Sequence, residues 1–213
     1  MKISPFKSSI AFFLLISSVF LTSCVSVDLK KPYPDVRTYS LDVSSQGHVP
    51  YAGSTVSLRF NTFSAVPQAA DRYLAYRTGE TTFESDFYNQ FITAPAELIQ
   101  DQAAAWLKSS PLVKYILKAG ETSSLSYIVD GTLLDLYGDY RNVNAPKAVL
   151  RLKLTVSKTG DTAGVVWQKI YAQEVSMSHI SPLILTEGWN KGLCQIVADF
   201  ENDLKALISN TPQ

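Results

Sequence analysis

Alternation with a period of two marks most of this chain's strands. Tyr39, Leu41 and Val43 fall on one face of residues 38–43. Within residues 55–63, Val56, Leu58 and Phe60 alternate against Ser57, Arg59 and Asn61. Successive side chains of a strand point to opposite faces, so each segment is expected to bury one face. Between them, residues 44–54 are rich in Ser, Gly and Pro, read as a loop and contain His48. Residues 71–77 and 81–87 flank Thr78, Gly79 and Glu80, which predicts a hairpin-like pair. Residues 126–137 form a strand rich in Tyr, Ile, Val and Leu. Leu150, Leu152, Leu154 and Val156 then alternate cleanly against Arg151, Lys153 and Thr155. A turn-rich stretch separates them from residues 164–175, so these two segments are expected to pair as a hairpin. The mixed alternation of 164–175 leaves room for a β-bulge.

A period of three to four appears twice. Pro95 suits a first helical turn, and Glu97 places negative charge at the positive end of the helix dipole. Leu98, Ile99, Gln102, Ala103, Trp106 and Leu107 then share one face, and Ser109, Ser110 and Pro111 end the helix. Residues 112–118 fit a short strand or a further turn equally well. Trp189, Leu193, Ile196, Val197, Phe200, Leu204, Leu207 and Ile208 line one face of a long amphipathic helix. The order strands, helix, strands, helix predicts an α+β fold. It is expected to be a single domain, with two amphipathic helices packed on one face of a largely antiparallel mixed sheet.

The N-terminus follows a different pattern. Lys2 and Lys7 precede residues 10–21, of which 10 of 12 are apolar. That run is too short to cross a bilayer, which takes roughly 20 residues, and fits the apolar region of a signal peptide. Leu21, Thr22, Ser23 and Cys24 follow and resemble a bacterial lipobox, in which the Cys is acylated and becomes the new N-terminus. Several acyl chains, at about 0.8 kcal/mol per buried CH2, give a stable anchor. Residues 1–23 are therefore expected to be a lipoprotein signal peptide and Cys24 the lipidation site. Residues 24–36 read as a tether; the 12 residues after Cys24 reach about 40 Å when extended. Residues 37–210 are expected to be the folded domain. Val25 follows the Cys where an Asp would retain enteric-type lipoproteins in the inner membrane. The expected location is therefore the outer membrane, facing the periplasm.

Composition narrows the function by exclusion. The 213 residues carry 19 basic and 19 acidic side chains, and loss of the leader leaves 17 basic residues, a net charge of −2. No basic footprint for nucleic acid exists. Two Cys and two His leave no metal or disulfide framework; with Cys24 acylated, Cys194 has no disulfide partner. Nucleophile-elbow, HExxH and P-loop motifs are absent, so the chain is not itself a transporter ATPase. A Ser178–His179 dyad has only adjacency to recommend it. Asp130 with Asp135, and Asp199 with Asp203, read as solvated faces or caps. No enzyme activity and no cofactor are expected.

The remaining feature is aromatic. Tyr73, Tyr76, Phe83, Phe87, Tyr88 and Phe91 fall within 19 residues. Aromatic side chains anchor protein interfaces and wall apolar pockets, which makes Tyr76, Phe83, Phe87, Tyr88 and Phe91 a candidate partner-binding set. The competing reading is core, and it is the expected one for Phe83, Phe87 and Phe91. Their spacing of four also fits one helical face.

Tyr76–Arg77–Thr78–Gly79–Glu80, then the run from Phe83 to Phe91, then Pro95 and Trp106–Leu107, resemble the ABC-type transport auxiliary lipoprotein component family, which includes paraquat-inducible protein C. Tyr39–Ser40–Leu41 after a short tether is similar to how those domains begin. Two positions depart from the family pattern: Phe91–Ile92–Thr93–Ala94 stands where many members carry a Trp or another large residue just before the Pro, and Ser109–Ser110 replaces a common Ser-Gly. The resemblance implies a non-catalytic, periplasm-facing subunit of a mammalian-cell-entry (MCE) type ABC transport system. It would support lipid transport between the two membranes by docking the substrate-tunnel protein to the membrane that holds Cys24. Its implied partners are an MCE-domain protein and the ABC permease/ATPase complex. The alternative is an envelope or lipopolysaccharide assembly lipoprotein unrelated to ABC transport.

Overall fold

The computed structural model of the chain describes residues 35–43, 56–117, 127–159 and 164–210. The segments expected to be the leader, the acylated Cys24, the tether up to residue 34 and the loop with His48 lie outside the described residues.

Strand β7 (Tyr127–Asp139) is the hub of a nine-stranded mixed sheet. Along one edge it pairs throughout its length, antiparallel, with β8 (Lys147–Lys158), and β9 (Gly164–Ser176) continues the antiparallel ladder outward. Its other edge is shared by three short parallel partners. These are β2 (Val56–Phe60) at Tyr127–Val129, β3 (Ser64–Ala65) at Thr132–Leu133, and β4 (Tyr73–Arg77) at Gly138–Asp139. The sheet therefore divides into two arms. One adds β6 (Val113–Leu117) beside β2; the other adds β5 (Phe83–Phe91), antiparallel to β4, and then β1 (Arg37–Tyr39), parallel to β5. Residues 112–118, open between strand and turn on sequence, thus contain a strand.

Both ladders of β7–β9 carry a one-residue irregularity. Leu133 faces Leu152 and Asp135 faces Arg151, so Leu134 is the extra residue of β7. In β9, Val166 is extra, between Val165 opposite Ser157 and Trp167 opposite Val156. This is the bulge that the mixed alternation of that segment allowed.

Helices α1 (Pro95–Lys108) and α2 (Pro182–Asn210) contact one another and cover one side of the sheet, so each buries its apolar stripe there. Leu98, Ile99, Ala103, Trp106 and Leu107 of α1 are buried, as their spacing predicts. From α2, Trp189, Leu193, Ile196, Val197, Phe200 and Leu204 join Leu150, Leu152, Leu154 and Val156 of β8 in the same core. The α2 helix begins at Pro182, about two turns before the stripe becomes regular at Trp189. Trp189 satisfies its indole N–H on the Val149 carbonyl (3.1 Å) and packs on the Phe91 ring at 5.5 Å. The glutamines of α1 also bind the strands: Gln102 accepts from Val43 N–H and Gln100 from Phe63 N–H, each at 2.8 Å. Leu41 and Val43 are buried beyond the end of β1, so the predicted inward face holds even where the ladder stops. Between α1 and α2, Glu201 accepts hydrogen bonds from Trp106 Nε1 (2.7 Å) and Ser110 Oγ.

Candidate functional site

The aromatic segment folds as the β4–β5 hairpin, closed by Thr78 N–H on the Thr82 carbonyl at 3.1 Å. Its helix alternative is thereby excluded. The ladder runs regularly from Arg77 opposite Phe83 to Leu74 opposite Asp86, and then breaks. The next step of β4, Tyr73, faces Gln90, so Phe87, Tyr88 and Asn89 are pushed out of register as a bulge.

The carboxylate of Asp86 holds that bulge. Its Oδ1 accepts the backbone N–H groups of Tyr88 (3.0 Å) and Asn89 (3.1 Å). Its Oδ2 accepts Asn89 Nδ2 at 2.8 Å and the Tyr76 hydroxyl at 2.6 Å. Tyr39 of β1 donates its hydroxyl to Asn89 Oδ1 at 3.0 Å, which ties the neighbouring strand to the same bulge. Burial raises the Asp86 pKa, but the hydrogen bonds from Tyr76, Asn89 and the Tyr88 and Asn89 amides outweigh it, leaving the carboxyl below its ordinary value. Tyr76 shifts the other way: burial and then its bond to Asp86 keep its phenol protonated well above the ordinary range. Tyr140 stacks on Tyr76 at 5.1 Å, and burial with the Asp86 charge pushes its phenol up to about 12.

The exposure of the predicted set corrects the core reading. Phe91 is core, at 1% exposure. Phe83 and Phe87 are 52% and 65% exposed and Tyr88 is 54% exposed. The cause is the sheet's geometry: β5 lies beyond the cover of the helices for most of its length, and only its last residue reaches Trp189. Tyr76 is half-buried within the polar cluster.

The exposed rings are fixed by neighbours. Phe87 meets Tyr73 edge-on at 5.1 Å. Phe83 meets Tyr137 of β7 edge-on at 5.4 Å, with the Arg77 guanidinium 5.7 Å from its centroid. Beside Phe83 and Tyr137 lies a recess of about 170 Å3, also lined by Ala69, Ala75, Asp135 and Leu136. Ion pairs brace the hairpin tip: Arg141 binds Asp139 at 2.6 Å and Glu80 at 3.2 Å. The hydrogen bonds from Arg141 hold the Asp139 carboxyl below its ordinary value.

Sequence reasoning missed Tyr137, Tyr140, Asp86 and Asn89. Tyr137 and Tyr140 reach the site through the parallel β4–β7 pairing, which leaves no local trace. Asp86 and Asn89 did leave one, since both residue types are unfavourable inside strands and here mark the register break.

The other candidates do not converge. Ser178 Oγ lies 3.1 Å from His179 Nδ1, but both are exposed in the loop before α2. A loop brings the two side chains together on open surface. Asp130 accepts from Asn61 Nδ2 (2.8 Å), Asp135 pairs with Arg151 (2.7 Å) and Asp199 accepts from Gln195 (2.9 Å). Asp203 accepts from Lys169 (2.7 Å) and Tyr171 (2.6 Å). Among the described residues, no group of His, Cys, Asp and Glu is placed to hold a metal ion, and no helix is long and apolar enough to cross a membrane.

No family model matches the sequence, and neither does any curated protein. Solved structures do match in shape. A Xanthomonas campestris protein of the DUF330 family superposes with a TM-score of 0.65 at 14% identity, over 77% of this chain and 92% of that one. A second structure, of an uncharacterized protein, gives a TM-score of 0.64 at 13% identity, over 80% of this chain and 99% of that one. At these identities the likeness is one of fold: the chain shares the α+β architecture of a DUF330 structure.

Proposed function

We propose that this chain is a non-catalytic lipoprotein subunit of an MCE-type ABC transport system, held in the outer membrane by acylated Cys24 and facing the periplasm. It supports lipid transport between the membranes by docking the substrate-tunnel protein. One observation carries this reading: the segment that resembles the auxiliary lipoprotein family displays a braced, half-exposed aromatic ring beside a recess. Phe83 is fixed by Tyr137 and Arg77 and borders the 170 Å3 recess. An anchor held in place before binding loses little side-chain entropy on docking, and buried aromatic anchors dominate interface energies. The short apolar leader and the lipobox-like Leu21–Cys24 sequence support the membrane attachment.

Crosslinking in intact envelopes followed by capture of the full acylated chain is expected to recover an MCE-domain protein. Phe83→Ser is expected to weaken that capture by about tenfold or more, the loss of an anchor worth at least ~1.4 kcal/mol. Its melting temperature should change little, because the ring is half exposed. Absence of an MCE partner overturns the reading; recovery of envelope-assembly components instead favours the alternative lipoprotein role.

A further inference from the structure

The chain enters its fold beside the bulge of β5. Strand β1 runs parallel to β5, with Arg37 opposite Asn89 and Tyr39 opposite Phe91. The residue before Arg37, Val36, is therefore level with the bulge. Val36, Phe87, Tyr88 and Ile92 are all exposed, and the Ile92 amide binds the Tyr39 carbonyl at 2.9 Å. Three exposed apolar or aromatic side chains, Val36, Phe87 and Tyr88, thus lie level with the point where the chain enters the domain, and Ile92 lies beyond them at the end of β5. Phe83 lies about 13 Å further along the strand, four residues at roughly 3.3 Å each.

We propose that Val36, Phe87, Tyr88 and Ile92 form a lipid-contacting surface that seats the domain on the bilayer holding its anchor. This inference rests on the lipoprotein reading of Cys24, and it separates two ends of one strand: the Phe87–Ile92 end faces lipid and the Phe83 end faces the protein partner. Three observations carry it. Only 10 residues, 25–34, separate the acylated Cys from the first described residue, so the entry point of the chain is held within about 40 Å of the membrane. The side chains exposed there are the types that settle at a membrane–water boundary, with the Tyr hydroxyl able to stay in the headgroup layer. The bulge that presents them is held by Asp86 through two backbone amides, so Phe87 and Tyr88 are displayed in a fixed conformation. The charges alongside are balanced, with exposed Arg37 and Arg72 against exposed Asp35 and Asp71. The contact is therefore apolar, and zwitterionic lipid suffices for it.

The test places a reporter at the surface of the full acylated chain. Phe87→Trp adds an indole to the three the fold already holds, and the protein is reconstituted into phosphatidylethanolamine–phosphatidylcholine vesicles with brominated acyl chains. The added emission is expected to shift to the blue and to be quenched, whereas Val165→Trp, at an exposed position on β9, is not. Quenching of both to the same extent overturns the proposal, because contact would then be unspecific. A chain that floats with the vesicles but leaves the Phe87→Trp indole unquenched overturns the lipid surface alone and leaves the anchor reading standing. Failure to float in high salt removes both. A shift that appears only when an MCE-domain protein is added assigns the surface to the protein partner and overturns the proposal as well.

Discussion

Tyr140 carries its hydroxyl into the protein interior, where it has no hydrogen-bond partner among the described residues. Its ring packs flat on Tyr76 and lies over Gly138, where an added Cβ would come within 2.7 Å of the ring. Packing thus fixes the ring and leaves the hydroxyl as a desolvated dipole, which costs about 1–3 kcal/mol when unsatisfied. Tyr140→Phe keeps the packing and removes the dipole. It is expected to leave stability unchanged or raise it by up to ~1 kcal/mol, read from the urea unfolding midpoint. Tyr76→Phe is the contrasting case, because it takes a donor from Asp86 and should be destabilising. Two phenols stacked on each other therefore have opposite energetic roles, decided by whether a carboxylate is within reach.

Helix α2 approaches the sheet closely at Gly188, where an added Cβ would lie 2.6 Å from the Ala148 Cβ. Gly192, one turn on, would meet the Gln173 Cβ at 3.3 Å. Replacing Gly by Ala inside a helix gains about 1 kcal/mol from propensity, while overpacking costs about 1–3 kcal/mol. At Gly188 the neighbour is a methyl group on a central strand that cannot give way, so overpacking outweighs the propensity gain and Gly188→Ala is expected to lose up to about 2 kcal/mol in thermal or urea melts. At Gly192 the two effects nearly cancel. The elements that sequence periodicity located best, α1, β8 and α2, are those with one face wholly buried, because burial on one side imposes the period. The hairpin of β4 and β5 is as its pattern predicts, but the burial of Phe83 and Phe87 is not, for the converse reason. Strand β5 sits at the edge of the helical cover, so Phe83 and Phe87 share an apolar pattern with Phe91 but not its environment. The three parallel contacts on β7 were invisible, since parallel partners need no shared turn and two-residue β3 is too short to show a period. The candidate site was legible as a list of aromatics; its polar support from Asp86 and Asn89, and the arrival of Tyr137, were decided by register.

For the whole molecule, pH acts at both extremes. Hydrogen bonds that outweigh burial hold Asp86 and Asp203 below the ordinary carboxylate value, and Arg141 holds Asp139 there. The unfolded chain binds protons at about pH 4 that the folded chain does not. The stability these groups contribute is complete above that value and is lost as pH falls through their lowered pKa values. Tyr76, Tyr140 and Tyr171 are raised instead, first by burial, so the fold favours their protonated forms; stability is insensitive to them below about pH 10 and falls as pH rises further. Urea midpoints are expected to hold steady with respect to these groups between about pH 5 and 9 and to fall on either side. Asp86→Asn combined with Asp203→Asn should flatten the acid limb; an unchanged acid slope would show that other carboxylates control it. The central position of β7 also governs the order in which the chain can fold. Leu58 with Tyr127, Ser64 with Thr132 and Tyr76 with Gly138 are each more than 60 residues apart in sequence. Closing such long loops delays these contacts, whereas β7, β8 and β9 follow one another closely in sequence and can zip together first. During synthesis from the N-terminus, β2, β3 and β4 emerge well before the strand that accepts them. The leading half of the chain must therefore wait, with its sheet edges unpaired and open to other chains, until residues near 139 follow.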